Sequence, residues 1–306
     1  MTPTCGIIIA THNRKEDLQT TLGEISRLSP QPKEVLICAD ACTDGTEEFV
    51  RQTYPAWHLL VNKTSQGSIG SRDMMIRQAS TDIVLSFDDD SHPVEPDFIP
   101  GVCELFEKNH KLAVASFPQY SNEFPESLSQ GDFGPSRFVG FYASSSAAIR
   151  RNAYIDAGGY ASLFHHVYEE PDLALRCIAA GWQVRYETSL HVRHFYSGLQ
   201  RNELRVHQLQ ARNELWSVMM RCPSPYFIAV AAFRIARQFN YARQRGIRWM
   251  IQEPKWWLSF LAGLPLCLSQ RTPIRWDYYR HWMKLLRESG FTQEACEKNF
   301  KSPVSP

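Results

Sequence analysis

An α/β fold is predicted for this sequence, with a mostly parallel central sheet of the nucleotide-binding type followed by a helical C-terminal extension. Two patterns carry that expectation. Short β-rich apolar runs alternate with helix-period segments through the first half, and polar clusters follow the ends of successive strands. The chain's 306 residues, 43% of them hydrophobic, suffice for one large domain with an appended part.

The elements follow in order. CGIIIA (5–10) reads as the first strand and 14–28 as a helix; EVLICA (34–39) is the second strand and 44–52 the next helix; HLLVN (58–62) is the third strand. A helix over 70–79, a strand DIVLSF (82–87), a helix over 96–109 and a strand LAVASF (112–117) complete the regular pattern. Residues 118–140 are rich in Pro, Ser and Gly without periodicity and read as a long loop of the kind that is often functional, one that orders over a substrate. Together with Ser144, Ser145 and Ser146 it is expected to contact what the site binds. Beyond 200 the pattern is helical, which divides the chain into an α/β part (1–200) and an extension (201–306).

Charge divides the same way. Residues 1–200 carry 16 Lys/Arg against 25 Asp/Glu, and 201–306 carry 17 against 7. The eight cysteines are scattered without a CxxC pair, which argues against a zinc ribbon and for a reducing compartment. The start, MTPTCGIIIATHNR, shows no signal-peptide pattern, and no run reaches the roughly 20 apolar residues that span a bilayer. A cytoplasmic protein is expected, with peripheral membrane attachment left open.

In open parallel sheets ligands bind beyond the carboxyl ends of the strands. THNR (11–14), DACTDGT (40–46), QGSIGSRD (66–73) and DDDSHP (88–93) each follow a strand, so four loops converge on one edge. Three adjacent carboxylates repel unless a cation offsets them, and hard oxygen ligands at close spacing suit Mg²⁺ or Mn²⁺ bridging to a diphosphate. Alternation lets Asp88 and Asp90 point together while Asp89 points away. An isolated DDD is as readily an exposed acidic turn; its place directly behind an apolar strand favours the metal site.

The other motifs stay open between two readings. QGSIGSR is either a plain helix start or an anion cradle with Arg72 as its cation. Asp44 in CTDGT reads first as a turn and helix cap. In YEEPDLALR (168–176) the acids suit a helix N-terminus, with Asp172 and Arg176 as an i,i+4 pair; Glu169 and Glu170 could equally project into the crevice as a general base. His194 in HVRHF is either a packed residue or a further metal ligand.

Taken together, IIIATHNR, VLICADACTDGT, QGSIGSRDMMIRQA, DIVLSFDDD, GGY, EEPDLALRCIAAGW and HVRHF arrive in the order seen in family 2 glycosyltransferases, which the chain resembles over residues 4–197. The resemblance implies a GT-A fold, a nucleoside-diphosphate sugar across the sheet edge, a Mn²⁺ or Mg²⁺ ion and transfer with inversion. Thr11, Asn13 and Arg14 then match positions lining the nucleotide pocket, and Arg72 matches a basic residue that faces the nucleotide. Asp88, Asp89 and Asp90 match the acidic motif, with Asp90 the metal ligand and Asp88 reaching ribose or metal; His194 matches a histidine that completes the metal shell in some members. Glu170 holds the place of the catalytic base, with Glu169 as the fallback.

Two departures stand out. Members commonly carry a base-binding acid where this chain has Ala39, and the nearest acid, Asp40, is one place later on the opposite face. The base is Glu where the family has Asp.

The extension interleaves Trp249, Trp256, Trp257, Trp276, Trp282, Tyr278 and Tyr279 with Arg245, Arg248, Lys255, Arg271, Arg275 and Arg280. Such a mixture either packs its aromatics on the catalytic part or lies on an anionic bilayer, in keeping with a glycan or lipid-linked acceptor. No nucleic-acid module is present. A metal-dependent nucleotidyltransferase and a non-catalytic sugar-nucleotide or glycan-binding protein are the alternative functions.

Overall fold

The computed structural model describes residues 2–130, 133–196 and 202–288. Strands β1 (Cys5–Thr11), β2 (Glu34–Asp40), β3 (His58–Asn62) and β4 (Ile83–Asp88) are joined by helices α1 (Lys15–Ile25), α2 (Thr46–Thr53) and α3 (Gly67–Gln78). All four strands are parallel neighbours in the order β3-β2-β1-β4. Each is apolar on both faces. Ile8, Leu36 and Val84 face one core, and Ile7, Ile9, Val35, Ile37 and Leu85 face the other, as a sheet covered on both sides requires.

The chain continues through β5 (Ser91–Pro93), α4 (Phe98–Lys108), β6 (Leu112–Ser116), β7 (Gln119–Ser121), the short α5 (Ser127–Gln130) and β8 (Arg137–Phe138). Then come β9 (Ser146–Arg150), α6 (Arg151–Asp156), a 3₁₀ turn over Ser162–Phe164, α7 (Glu169–Ala179), β10 (Gln183–Tyr186) and β11 (Val192–His194). The main sheet has the order β3-β2-β1-β4-β9-β6-β10-β8, and β5, β11 and β7 form a second, three-stranded sheet.

The expectation of a mostly parallel sheet holds for its first half and needs correcting in the second. β9 runs antiparallel to both β4 and β6, and β8 antiparallel to β10. The segment expected to be one loop over 118–140 contains β7, α5 and β8, while residues 131–132 lie outside the described residues. Its two strands are too short, at three and two residues, to leave a period in the sequence.

Helices α8 (Glu203–Arg221), α9 (Tyr226–Arg245), α10 (Ile247–Met250), α11 (Glu253–Ser269) and α12 (Trp276–Glu288) form the C-terminal part. The boundary expected at residue 200 lies outside the described residues. These helices have a small cluster of their own around Ala211, Leu215 and Trp256, but most of their buried side chains join the core of the sheet. Trp216, Met220, Cys267, Tyr279 and Trp282 share one apolar cluster with Ile8, Val84, Tyr154 and Leu173 from the sheet side. Trp282 donates from its indole Nε1 to the Gly140 carbonyl at 2.8 Å. A Cβ on Gly140 would stand 3.0 Å from the α12 backbone, so this close approach needs glycine.

Candidate active site

The order β3-β2-β1-β4 puts the ends of β1 and β4 side by side, with Ala10 in register with Asp88. The triplet Asp88, Asp89 and Asp90 therefore emerges beside Thr11 and Arg14, where loops from both strands converge. Its charges do not lie loose. Arg14 reaches Asp89 Oδ1 with Nη1 and Asp90 Oδ2 with Nη2, both at 2.7 Å, and Asp17 with Nε at 2.9 Å. The Thr11 hydroxyl donates to Asp89 Oδ2 at 2.8 Å. Asp89 is buried, and that burial pushes its carboxyl up to about 7 against the opposing pull of Arg14.

Asp88 and Asp90 are joined by His194. Antiparallel pairing of β11 with β5 sets His194 opposite Ser91, and parallel pairing with β7 sets it opposite Ser121. One ligand atom from each of Asp88, Asp90 and His194 lies within 4.8 Å of the others. The hydrogen bonds around His194 orient it. Ser146 Oγ donates to the Phe117 carbonyl at 3.0 Å and so accepts from Gln119 Nε2 at 2.8 Å. That fixes Gln119 Oε1 toward His194 Nδ1, 2.8 Å away, and an amide oxygen can only accept. Nδ1 therefore carries a proton, and in the neutral ring Nε2 presents a lone pair 3.2 Å from Asp90 Oδ1.

Both of those atoms are buried and have no hydrogen-bond partner. Two facing lone pairs repel, and a cation between them removes the repulsion. The side-chain set, two carboxylates and an imidazole oriented from behind by an amide, fits a divalent ion such as Mn²⁺ or Mg²⁺. Asp90 and Asp88 attract a proton to that ring as well: burial opposes the imidazolium, but the two carboxylates outweigh it and hold the ring above its ordinary range, so a metal ion and a proton compete for Nε2.

The second carboxylate pair stands at the start of α7. Glu169 is buried, its Oε2 has no hydrogen-bond partner, and burial together with the neighbouring Glu170 pushes it well above the usual carboxylate range. Glu170 is half-buried and accepts from Ser144 Oγ at 3.1 Å; burial raises it too. Arg72, almost fully buried, is ion-paired with Asp88, and its charge also acts on Glu169 and Glu170. One guanidinium thus pairs with the metal-ligand set and is within electrostatic reach of the carboxylate pair.

The turn that delivers this pair is held in an unusual backbone. His165, Val167 and Tyr168 have φ of 60°, 59° and 75°, a region that disfavours side chains. Asn213 on α8 donates from Nδ2 toward the carbonyls of Phe164, His166 and Val167 at 3.2, 2.7 and 2.9 Å. Asp172, one turn into α7, accepts from Ser217 Oγ at 2.8 Å and from Arg221 Nε at 3.3 Å. The C-terminal helices are therefore part of what positions the candidate base.

Several residues expected at the nucleotide have protein partners. Asp40 is buried, and it accepts from Asn62 Nδ2 (2.7 Å), Ser65 Oγ (2.6 Å) and the backbone N–H groups of Gln66 (2.8 Å) and Gly67 (3.0 Å). It ties β2 to the start of α3 and has no capacity left over for a nucleobase. Thr11, Arg14 and Asp89 serve one another, as described above. Asn13, at φ 52°, accepts from the Thr43 N–H at 2.7 Å and bridges two of the edge loops. Arg72 faces carboxylates. Ser144, Ser145 and Ser146, expected at sugar or acceptor, turn inward: Ser144 holds Glu170, the Ser145 carbonyl accepts from Ser91 Oγ at 2.9 Å, and Ser146 is buried. Gln119 and Asn213 escape sequence reasoning, because each acts through a contact between distant segments.

Comparison with known proteins agrees with this geometry. The sequence profile described as Glycosyl transferase family 2 matches residues 6–170, more than half of the chain, from within β1 to the first residues of α7. The chain is a family 2 glycosyltransferase. This glycosyltransferase is 28% identical over 148 residues to the glycosyltransferase AglE of Haloferax volcanii, a stretch covering 42% of this chain and 49% of that one. It thus spans about half the length of that curated relative. Two solved structures share its GT-A fold. The mannosyltransferase PcManGT of Pyrobaculum calidifontis, in complex with GDP-Man and Mn²⁺, superposes with a TM-score of 0.56 at 17% identity, covering 98% of this chain and 88% of that one. Residues 1–349 of S. aureus TarS, in complex with UDP-GlcNAc, superpose with a TM-score of 0.61 at 14% identity, covering 87% and 81%.

Proposed function

We propose that this glycosyltransferase moves a sugar, with inversion, from a nucleoside-diphosphate sugar to an acceptor hydroxyl, with Glu170 as the general base and Asp88, Asp90 and His194 as ligands of a Mn²⁺ or Mg²⁺ ion. The observation that carries this reading is Arg72, paired with Asp88 on one side and acting on Glu169 and Glu170 on the other. It brings the base and the leaving-group end into one site. Nucleotide sugars and Mn²⁺ in complexes of fold neighbours support the same donor class and ion.

The bound ion supplies positive charge to the diphosphate oxygens. The rest is work for side chains. Glu170 takes the acceptor hydroxyl proton as that oxygen attacks the anomeric carbon, and the bond from that carbon to the diphosphate oxygen breaks with its electron pair leaving on the nucleoside diphosphate. The raised affinity of Glu170 for a proton suits it to this task. Ser144 holds one of its oxygens, and Arg72 stabilises charge growing on the leaving group. Glu169, more deeply buried, tunes its neighbour rather than meeting the acceptor.

In this reading the reaction is cytoplasmic and builds a cell-surface glycan or polysaccharide on a glycan or lipid-linked acceptor. Turnover of a panel of UDP- and GDP-sugars with Mn²⁺ tests it, comparing the wild type with a folded, nucleotide-binding Glu170→Gln. Transfer lost in the variant supports the assignment. Transfer at the wild-type rate contradicts it, and binding without turnover of any donor favours a non-catalytic protein.

A further inference from the structure

Most of the large apolar side chains that this protein leaves in solvent lie on α9, α10 and α11. Before residue 197 no large apolar side chain is more than 50% exposed, among the described residues. Between 226 and 268, Ile228 (65%), Phe233 (64%), Ile247 (66%), Ile251 (70%), Leu258 (68%) and Leu261 (58%) all exceed that value. A soluble surface does not ordinarily concentrate such residues.

Their spacing makes stripes. On α9, Ala229, Phe233 and Ala236 fall on one exposed line, and on α11 Trp257, Leu261, Pro265 and Leu268 fall on another. Ile247 and Ile251, one turn apart, lie between them in the chain. The inward faces are already occupied: Ala231 and Ile235 of α9, with Trp256 and Phe260 of α11, pack on Ala211 and Leu215 of α8. The outward stripes are thus in excess of what the fold needs.

The charge beside them is one-sided. Residues 226–271 hold seven Lys/Arg and a single acid, Glu253. Glu253 is buried against His207 and the Trp256 indole, so it adds no negative charge to the surface. Arg243, Arg245, Arg248 and Lys255 are exposed between the end of α9 and the start of α11, flanking Ile247, Ile251 and Leu258. Among the described residues no helix is long and apolar enough to cross a membrane. Glu203 of α8 is exposed and pairs with Arg245, but α9, α10 and α11 carry no surface acid of their own, and apolar stripes with a tryptophan bordered by cations match helices lying in the interfacial plane of a bilayer.

We propose that α9, α10 and α11 dock this glycosyltransferase on an anionic lipid surface, with Ile251, Leu258 and Leu261 entering the acyl boundary and Arg243, Arg248 and Lys255 meeting the headgroups. The docking requires no turnover, so its test is separate from that of the transfer reaction. Full-length protein is floated with phosphatidylcholine vesicles, with and without phosphatidylglycerol, at low and high salt. The double variants Ile251→Glu/Leu258→Glu and Arg248→Glu/Lys255→Glu are floated alongside, and unfolding of each is monitored in parallel. Binding to the phosphatidylglycerol vesicles, weakened by salt and reduced at least about tenfold in both folded variants, is the expected result. Absence of binding to anionic vesicles at low salt overturns the proposal, and so does binding that both variants retain. A stable dimer in solution that Ile251→Glu/Leu258→Glu converts to monomer also overturns it, by assigning the face to a second copy of the chain.

Discussion

Two buried acidic clusters, one at the sheet edge and one within the C-terminal helices, differ in whether their charge is matched. Glu214 on α8 is buried with Arg234 at 3.0 Å, Arg237 at 2.5 Å and Gln238 donating at 2.8 Å; although burial opposes its ionisation, the two arginines hold its carboxyl below the usual range. At the sheet edge, Asp88, Asp89, Asp90, Glu169 and Glu170 share Arg14 and Arg72, and Asp89 and both glutamates are pushed upward by burial. A cluster whose charges close is architecture. One that leaves acids in excess is the kind of site on which the proposed ion and base rest.

The largest effect expected from breaking this contrast is catalytic. Glu170→Gln should lower transfer by about 10³-fold, the scale of a lost general base, with donor binding retained in single-turnover and binding assays. In the wild type the rate should fall as the pH drops through the raised Glu170 pKa, so the acid limb should lie above the ordinary carboxylate range. Next comes the matched cluster. Glu214→Gln leaves Arg234 and Arg237 without their anion and should destabilise the fold by about 3 kcal/mol in denaturant unfolding at pH 7. The sign follows from the depressed carboxyl: its contribution is present above the unfolded pKa of about 4.3 and is lost as pH falls through the lower folded value.

A smaller effect is expected where the two regions meet. Asn213→Ala removes the donor that holds the 164–167 carbonyls and should reduce kcat about tenfold, with the donor Kd unchanged, because the turn that aims Glu170 loses its clamp. The smallest has the opposite sign to Glu214. Glu169 has a raised folded pKa, so the native state is favoured at low pH and loses stability as pH rises from the ordinary carboxylate range toward that value. Glu169→Gln should therefore stabilise the protein at pH 7, by on the order of 1 kcal/mol, in the same unfolding experiment.

The features legible in the sequence were those with a local signature. Runs such as CGIIIA and DIVLSF announce buried strands, and the order of the first four places DDD at a shared edge. Contacts made by tertiary pairing left no such mark. His194 meets Asp90 only because β11 lies between β5 and β7. Asp40 is a loop tie only because Asn62, Ser65, Gln66 and Gly67 converge on it. The direction of β9 is likewise invisible in AAIR, since an apolar strand reads alike in either sense. The tail's composition suited both packing and a bilayer, and the structure divides it: Trp256, Tyr279 and Trp282 are buried, while Trp257 and Leu258 are exposed.

The unmatched cluster at the sheet edge is proposed to hold a divalent ion and, through it, a nucleoside diphosphate. Calorimetric titration with UDP and GDP, in Mn²⁺ and in EDTA, on the wild type and on Asp90→Asn, tests it most directly. Binding of one diphosphate that requires Mn²⁺ and weakens at least about tenfold in Asp90→Asn is the expected result. Equal affinity in EDTA, or an unchanged Mn²⁺-dependent affinity in the variant, would contradict it.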